Sequence, residues 1–215
     1  MLIIFDWDGT LCDSAGEIVV AMQEAADLHR LPSPSEEAVR NIIGLSLPVA
    51  IGQLFPMLED ALIEAVAESY SERFRAHAQE SRLYDGAEET LEGLLDRGYQ
   101  LAIATGKSRR GLDRVLNSLD MADWFHASRC ADETRSKPHP QMLEEILLEC
   151  RRAPAEAVMI GDTEYDLEMA SLAGVPSVGV SFGMHETQRL EAHDPLAIID
   201  ALPELLDLEH LKSSA

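Results

Sequence analysis

The chain has 215 residues, of which 46% are hydrophobic, so it can build a real core and is not expected to be disordered. Its 39 acidic residues against 17 basic ones give a net charge of -22, which disfavours nucleic acid and anionic membranes as partners. Cys12, Cys130 and Cys150 have no metal-ligand spacing, and no apolar stretch is as long as a membrane span. We expect an untargeted cytoplasmic protein, monomer or homodimer, that acts on small molecules.

The first residues predict a buried strand that ends in acidic groups. An apolar run over residues 1–5 leads directly into Asp6 and Asp8, which point to the same side if the strand geometry continues. Two close carboxylates repel each other unless a cation lies between them, and hard oxygen ligands suit Mg2+. Gly9 permits a tight backbone path. Because Asp-x-Asp-Gly also begins calcium loops and ordinary turns, this stretch alone leaves those interpretations open.

The next segment is predicted to be entirely helical. Helical patterns cover Ser14 to Arg30, with Ser14 as the N-cap, then Ser35 to the residue before Gly44, and Asp60 to Gln79. No good strand pattern occurs between Ser14 and Arg82. An all-helical block of this length after a single strand is typical of an insertion.

Strands and helices alternate from Gly86 onward. The predicted helices are Gly86–Arg97, Ser108–Leu119, Pro140–Arg151 and Tyr165–Ala173. The predicted strands are Tyr99–Ala104, Phe125–Cys130, Ala157–Ile160, Pro176–Val180 and Leu196–Ile199. This alternation predicts an α/β fold with a doubly wound parallel sheet and helices on both faces. Ligands bind beyond the carboxyl ends of such strands, where Asp6, Asp8, residues 105–107 and Asp162 are expected to converge.

Four short motifs occur in a characteristic order along the chain. They are Asp6-x-Asp8-Gly9-Thr10, Thr105-Gly106, Lys137-Pro138 and Gly161-Asp162-x-x-x-Asp166. Together they resemble the motifs of the haloacid dehalogenase superfamily, most of whose members are phosphatases. The resemblance implies a Rossmann-like core domain of residues 1–13 and 83–215, with a helical (C1-type) cap domain of residues 14–82 inserted after the first motif. The agreement of several motifs argues against the calcium loop.

The resemblance also assigns catalytic roles. Asp6 would be the nucleophile that forms an aspartyl-phosphate, and Asp8 the general acid and base. Thr105 and Gly106 would bind the phosphate, while Lys137 would neutralise the phosphoryl oxygens and the nucleophilic carboxylate. Taken singly, the Thr-Gly pair also fits an ordinary turn, and Lys137 also fits a surface lysine before a helix.

The same resemblance implies a magnesium site. Its protein ligands would be Asp6, Asp162 and the backbone carbonyl of Asp8. Asp166, one helical turn beyond Asp162, would support the site, and we favour this role over the alternative of a solvated acid at a helix start. Lys107 has no settled role: relatives often carry a basic residue there, and a helix-start lysine is equally consistent.

The cap gives weaker indications of the substrate. Residues 42–46, which include Gly44, resemble the loop by which family caps reach the site, although a helix C-cap also explains Gly44. Arg40, Arg73 and Arg75 are candidate anion contacts. The segment contains no lysine, which argues against relatives that cleave phosphonates or isomerise sugar phosphates through a cap lysine.

The expected activity is that of a Mg2+-dependent phosphatase. Its substrate would be a small phosphate monoester, phosphoglycolate-like or a sugar phosphate, since the chain is most similar overall to phosphoglycolate phosphatase-like members. The alternatives are a nucleotide or pyrophosphate hydrolase with the same core chemistry, and a non-catalytic sensor of a phosphate ligand. Asp8 argues against a dehalogenase, because dehalogenating relatives lack this second aspartate. Activity that does not require a metal would identify a dehalogenase.

Overall fold

The computed structural model describes residues 1–77 and 82–208. Its strands are β1 Leu2–Phe5, β2 Cys12–Asp13, β3 Arg82–Leu83, β4 Gln100–Thr105, β5 Ala127–Cys130, β6 Ala157–Gly161, β7 Ser177–Val180 and β8 Ala197–Ile199. Its α-helices are α1 Ala15–Leu28, α2 Glu36–Arg40, α3 Leu47–Leu54, α4 Asp60–His77, α5 Ala87–Asp96, α6 Arg109–Ser118, α7 Gln141–Cys150, α8 Glu164–Leu172 and α9 Thr187–Glu191. Short 3-10 turns cover Ala122–Trp124, Pro154–Glu156 and Leu202–Asp207.

Six of the strands form one parallel sheet in the order β5-β4-β1-β6-β7-β8. The first strand lies inside the sheet, where Ile4 pairs with Ala102 on one side and with Met159 on the other. A central parallel strand is covered on both faces, which explains why its sequence is apolar throughout rather than alternating. The predicted α/β fold with a doubly wound parallel sheet is confirmed.

Side chains of β1 alternate between two hydrophobic cores. Ile3 and Phe5 pack in the cluster that includes helices α5 and α6, whereas Leu2 and Ile4 pack in the cluster that includes helices α7 and α8. Alternation with a period of two residues produces this division. All four side chains are fully buried, so the strand that leads to Asp6 is rigidly held.

Helices α1 to α4 share a separate hydrophobic cluster, which supports the proposed cap of residues 14–82. Helix α3 was not expected, because the apolar run that forms it shows no helical period in the sequence. Ser14 occupies the N-cap position of α1 as predicted, but its side chain makes no capping hydrogen bond and donates to Asp8 instead. The last predicted residues of the third helix, 78 and 79, and the tail lysine Lys212 lie outside the described residues.

A two-stranded antiparallel ribbon lies where the chain enters and leaves the helical block. Cys12 pairs with Leu83, and Asp13 pairs with Arg82. Sequence patterns did not indicate this ribbon, because two-residue strands carry no periodicity. It brings the two ends of the inserted segment together, as an insertion into a folded core requires. Among the described residues, no helix is long and apolar enough to cross a membrane.

Candidate active site

The predicted site residues meet at one edge of the parallel sheet. Asp6 follows β1, Thr105 ends β4 and Asp162 follows β6, three neighbouring strands whose carboxyl ends lie at that edge. Lys137 reaches the same place from the loop after β5. All four residues are at most 1% exposed. The sheet therefore gathers charged groups that are almost completely buried.

Asp6 has a buried carboxylate whose oxygens accept no hydrogen bond from the part of the chain that the structure describes. Its backbone N-H donates to the carbonyl of Ile160 at 2.9 Å, which extends the sheet pairing into the site. The Lys137 ammonium lies 2.8 Å from Oδ1 of Asp6 as an ion pair, but not at a hydrogen-bonding angle. Neither Asp6 oxygen receives a hydrogen bond from the described residues. A buried, underbonded carboxylate is costly and is retained where a ligand or reaction uses it.

Lys137 is held between two carboxylates. Besides Asp6, its ammonium donates to Oδ1 of Asp166 at 2.6 Å. The other oxygen of Asp166 accepts from the hydroxyl of Thr163 at 2.7 Å and from its N-H at 3.1 Å, which closes a capping box at the start of α8. The expected supporting role of Asp166 agrees with these contacts, because Asp166 orients the lysine toward Asp6.

Asp162 is fixed by two donors and by close glycine packing. Its Oδ1 accepts from the Thr10 hydroxyl at 2.8 Å, and its Oδ2 accepts from the Met184 N-H at 2.9 Å. A Cβ on Gly9 would lie 2.2 Å from Oδ2 of Asp162, and one on Gly183 would lie 2.1 Å from its Cβ. Only glycine fits at either position. Gly9 also has a φ of +89°, so the first motif needs glycine for two reasons.

Burial controls the ionisation of the cluster. Desolvation raises the pKa of Asp6 to about 7, reinforced by the charges of Asp166 and Asp8 and opposed by Lys137. Desolvation also raises the pKa of Asp162 well above its usual range, with Asp6 adding to the effect. For Lys137, burial alone would lower the pKa, but the carboxylates of Asp166 and Asp6 outweigh it and raise the pKa. The site therefore carries excess negative charge that a cation would relieve.

These residues fit a divalent cation with oxygen ligands. Carboxylate oxygens of Asp6, Asp162 and Asp166 lie within 4.8 Å of one another. Since the charge of Asp166 is already paired with the Lys137 ammonium, whereas Asp162 has only neutral donors, Asp6 and Asp162 are the better candidate ligands. The observation that favours a metal here is that, among the described residues, none donates a hydrogen bond to the Asp6 oxygens.

Asp8 is held by two residues whose roles the sequence did not reveal. Lys107 donates to both Asp8 oxygens, at 2.7 and 2.9 Å, and Ser14 donates to Oδ1 at 2.6 Å. Asp8 and Lys107 both line the cavity described below. Lys107 is therefore not an ordinary helix-start lysine. In the sequence, the only indication of a role for Lys107 is that it lies two residues after Thr105. Its pairing with Asp8 becomes visible only in the folded structure.

Thr105 and Gly106 lie at the end of β4, as expected for a phosphate-binding turn. The Thr105 hydroxyl is fully buried and accepts from the Lys107 N-H at 3.1 Å. A Cβ on Gly106 would approach the carbonyl oxygen of Gly44 to 2.7 Å, so the cap loop passes directly over this turn. Gly44 itself has a φ of +99° and lines the cavity. Gly106 is thus needed for cap contact as well.

Asn41, directly before the cap loop, forms hydrogen bonds with the core. Its carbonyl accepts from the Tyr165 hydroxyl at 2.8 Å and lies 3.3 Å from Nε2 of His185, and its side-chain oxygen accepts from Arg189 at 2.6 Å. Because Nδ1 of His185 accepts from the Glu164 N-H, Nε2 carries the proton of the neutral ring. The Ser46 N-H adds a 2.8 Å hydrogen bond to the Ser136 hydroxyl. These contacts hold the cap against the sheet edge.

The structure does not bring Arg40 to the cavity, in contrast to the expectation. Arg40 is not among the residues that line the cavity: it pairs with Glu36 at 2.9 Å, one helical turn away, and its Nη1 donates to the sulfur of Met184 at 4.0 Å. Arg73 is also absent from the cavity lining and lies 3.9 Å from Glu24. Of the three candidate arginines, Arg75 lines the cavity.

A cavity of about 720 Å³ lies between the cap and the sheet edge. Asp6, Asp8, Gly44 and Gly106 all line it. Its cap side is largely apolar, with Ile18, Met22, Ile42, Ile43, Leu45, Leu47, Ala50, Tyr70 and Phe74. The cavity therefore joins the buried carboxylates to a space that can hold an organic molecule.

Comparison with known proteins identifies the family. Residues 3–180 match the haloacid dehalogenase-like hydrolase family. The chain is 31% identical to a phosphoglycolate phosphatase of Vibrio vulnificus, over 96% of this chain and 95% of that protein. It is 30% identical to an N-acetylmuramic acid 6-phosphate phosphatase of Pseudomonas aeruginosa, over 96% and 93%. The crystal structure of a hydrolase from Pseudomonas syringae superposes with a TM-score of 0.89 at 25% identity, over 100% and 99%. The four motifs, the sheet order and these matches together place the chain in the haloacid dehalogenase-like hydrolase family.

Proposed function

We propose that the protein is a Mg2+-dependent phosphatase that hydrolyses a small phosphate monoester through an aspartyl-phosphate on Asp6. The observation that carries this proposal is the buried Asp6 carboxylate, which lines the cavity beside Asp8 and, although Lys137 pairs with its charge, accepts no hydrogen bond from the described residues. A structural aspartate would be expected to have its hydrogen-bonding capacity satisfied. An aspartate that attacks phosphorus needs a free oxygen.

The chemistry follows from the positions of the two carboxylates. An oxygen of Asp6 attacks phosphorus, the bond from phosphorus to the ester oxygen breaks, and Asp8 gives its proton to the departing alcohol. Asp8 then takes a proton from water, which attacks phosphorus and releases phosphate from Asp6. Lys107 and Ser14 hold the Asp8 carboxylate in one orientation for both transfers.

The remaining residues of the site neutralise the charges of the carboxylates and of the phosphate. Lys137 lies 2.8 Å from Asp6 and would also neutralise the phosphoryl oxygens, which the Thr105 hydroxyl and the Gly106 N-H would bind. Asp6, Asp162 and the Asp8 carbonyl would hold Mg2+, which, when bound, neutralises the carboxylates and the incoming phosphate. Two relatives named for their substrates, phosphoglycolate and N-acetylmuramic acid 6-phosphate, support a small phosphorylated metabolite as the substrate.

The setting is proposed to be the cytoplasm. The three cysteines are free thiols, two of them buried, which suits a reducing compartment. The net charge of -22 disfavours nucleic acid and anionic membranes, and so supports a small phosphorylated metabolite as the partner.

Phosphate release from a panel of monoesters, nucleotides and pyrophosphate, with Mg2+ and with EDTA, tests the proposal. We expect metal-dependent release, an acid-stable acyl-phosphate that hydroxylamine traps, and loss of both in Asp6→Asn. Asp13→Asn is the matched control, because Asp13 is exposed and does not line the cavity. Turnover by Asp6→Asn would refute the nucleophile. Tight phosphate binding without release from any compound would instead favour a sensor.

A further inference from the structure

The cavity is larger than phosphoglycolate requires. Its volume of about 720 Å³ falls among sites that enclose drug-sized ligands, typically about 300 to 1,000 Å³. Glycolate is a two-carbon acid, too small to contact both the sheet edge and the apolar cap side of such a space. The size of the cavity therefore points to a larger leaving group, which rests on the phosphatase function proposed above.

Two aromatic side chains of α4 line the cavity. Tyr70 and Phe74 lie one helical turn apart, with ring centroids separated by 5.8 Å and planes within 15° of each other. Both rings also contact the hydrophobic cluster of the cap, so packing explains part of their placement. Packing does not explain the Tyr70 hydroxyl, which makes no hydrogen bond with the described residues. We call these two residues the aromatic pair.

The aromatic pair lies on the leaving-group side of the site. The Lys107 ammonium is 2.7 Å from Oδ1 of Asp8 and 4.9 Å from the centroid of the Phe74 ring. Phe74 therefore lies close to the Asp8 carboxylate, with Lys107 between them. Burial, and then the charge of Asp8, raise the pKa of Tyr70, as expected for a phenol near that carboxylate. Since Asp8 protonates the departing oxygen, the atoms attached to that oxygen extend toward the aromatic pair.

Two arginines line the core side of the cavity. Arg110 and Arg114 lie one turn apart on α6, line the cavity and are exposed. Neither forms an ion pair with any described carboxylate, in a chain whose net charge is -22. Their guanidinium groups can donate to oxygen substituents of a bound molecule, either hydroxyl or carboxylate.

We infer that the aromatic pair selects ring-bearing leaving groups. The preferred substrate is the phosphate monoester of a cyclic alcohol of monosaccharide size or larger. Its ring packs on Tyr70 and Phe74, and its outer oxygens reach Arg110 and Arg114. Both the apolar C-H faces of sugars and the π-faces of bases pack well on aromatic rings. Such contacts stabilise binding by more than the buried contact area alone would give.

The test compares kcat/KM for phosphate esters of primary alcohols, which have similar chemical reactivity. The ring-bearing probes are glucose 6-phosphate, N-acetylglucosamine 6-phosphate, N-acetylmuramic acid 6-phosphate and uridine 5'-monophosphate, and the small probe is phosphoglycolate. We expect at least one ring-bearing ester to exceed phosphoglycolate by about tenfold or more. Phe74→Leu should lower this ratio by about tenfold, the upper part of the range for one aromatic contact.

Companion variants separate stacking from other effects. Tyr70→Phe keeps the ring and should keep the preference, whereas Tyr70→Leu should reduce it. Arg73→Met is the matched control on the same helix, because Arg73 does not line the cavity, and its ratio should equal that of the wild type. Arg110→Met distinguishes the outer oxygens: a loss confined to N-acetylmuramic acid 6-phosphate indicates a carboxylate, and a loss on every ring-bearing ester indicates hydroxyls.

The possible failures are distinguishable. Preference for phosphoglycolate over every ring-bearing ester would overturn this inference while leaving the phosphatase function intact. An unchanged ratio in folded Phe74→Leu and Tyr70→Leu, verified by circular dichroism, would also overturn it. No phosphate release from any probe would refute the proposed function itself, and the inference with it.

Discussion

Replacing Lys137 by methionine should destabilise the metal-free protein strongly. The substitution keeps an unbranched apolar stem but removes a charge that lies 2.8 Å from Asp6 and 2.6 Å from Asp166, with all three side chains at most 1% exposed. At an effective dielectric constant of about 20, each contact is worth about 6 kcal/mol before desolvation is subtracted. Removing one member of a buried ion pair costs about 3–5 kcal/mol, because the remaining charge stays buried without a partner.

The assay is urea-induced unfolding in EDTA, followed by far-UV circular dichroism, which yields the free energy of unfolding. Lys107→Met is the matched control, since Lys107 and Asp8 are each 12% exposed and solvent can partly compensate for the loss. We expect that control to cost about 1.5 kcal/mol. Lys137→Met with Asp166→Asn should recover part of the loss, because one uncompensated charge is removed. A cost below about 1 kcal/mol for Lys137→Met, or equal costs for both lysines, would refute the reasoning.

Three further predictions concern the cap and the metal. Gly106→Ala should lower kcat/KM by about tenfold or more, since its Cβ would lie 2.7 Å from the Gly44 carbonyl oxygen and displace the cap loop; wild-type kinetics would contradict this. In EDTA, the thermal midpoint should fall as the pH rises from about 4 to about 7, because the pKa of Asp6 is raised to about 7 and the folded state binds the extra proton only at lower pH. Saturating Mg2+ should reduce that fall, and a midpoint that rises over this range in EDTA would oppose it. Asp162→Asn should abolish most of the Mg2+-induced rise in midpoint, whereas an undiminished rise would remove Asp162 from the ligands.

Local patterns predicted most of the core. Each strand from β4 to β8 lies within about two residues of its predicted position, because buried apolar runs bounded by glycine or polar residues leave few alternatives. Helix α3 was missed for the opposite reason: a run that is apolar on every side shows no helical period. The ribbon of β2 and β3 was missed because pairing between distant dipeptides leaves no trace in local sequence.

The sequence by itself determined the family, the parallel sheet and the acids at its edge. Asp6, Asp8 and Asp162 could be located because strand ends and short motifs are local properties of the chain. Only the tertiary structure decided which partner each charge has. Lys107 and Ser14 bind Asp8, and Arg40 turns to Glu36 instead of the cavity. The Lys107–Asp8 pair joins residues 99 positions apart, and the absence of Arg40 from the cavity lining depends on how the cap lies over the sheet, so both depend on packing between segments that are remote in sequence.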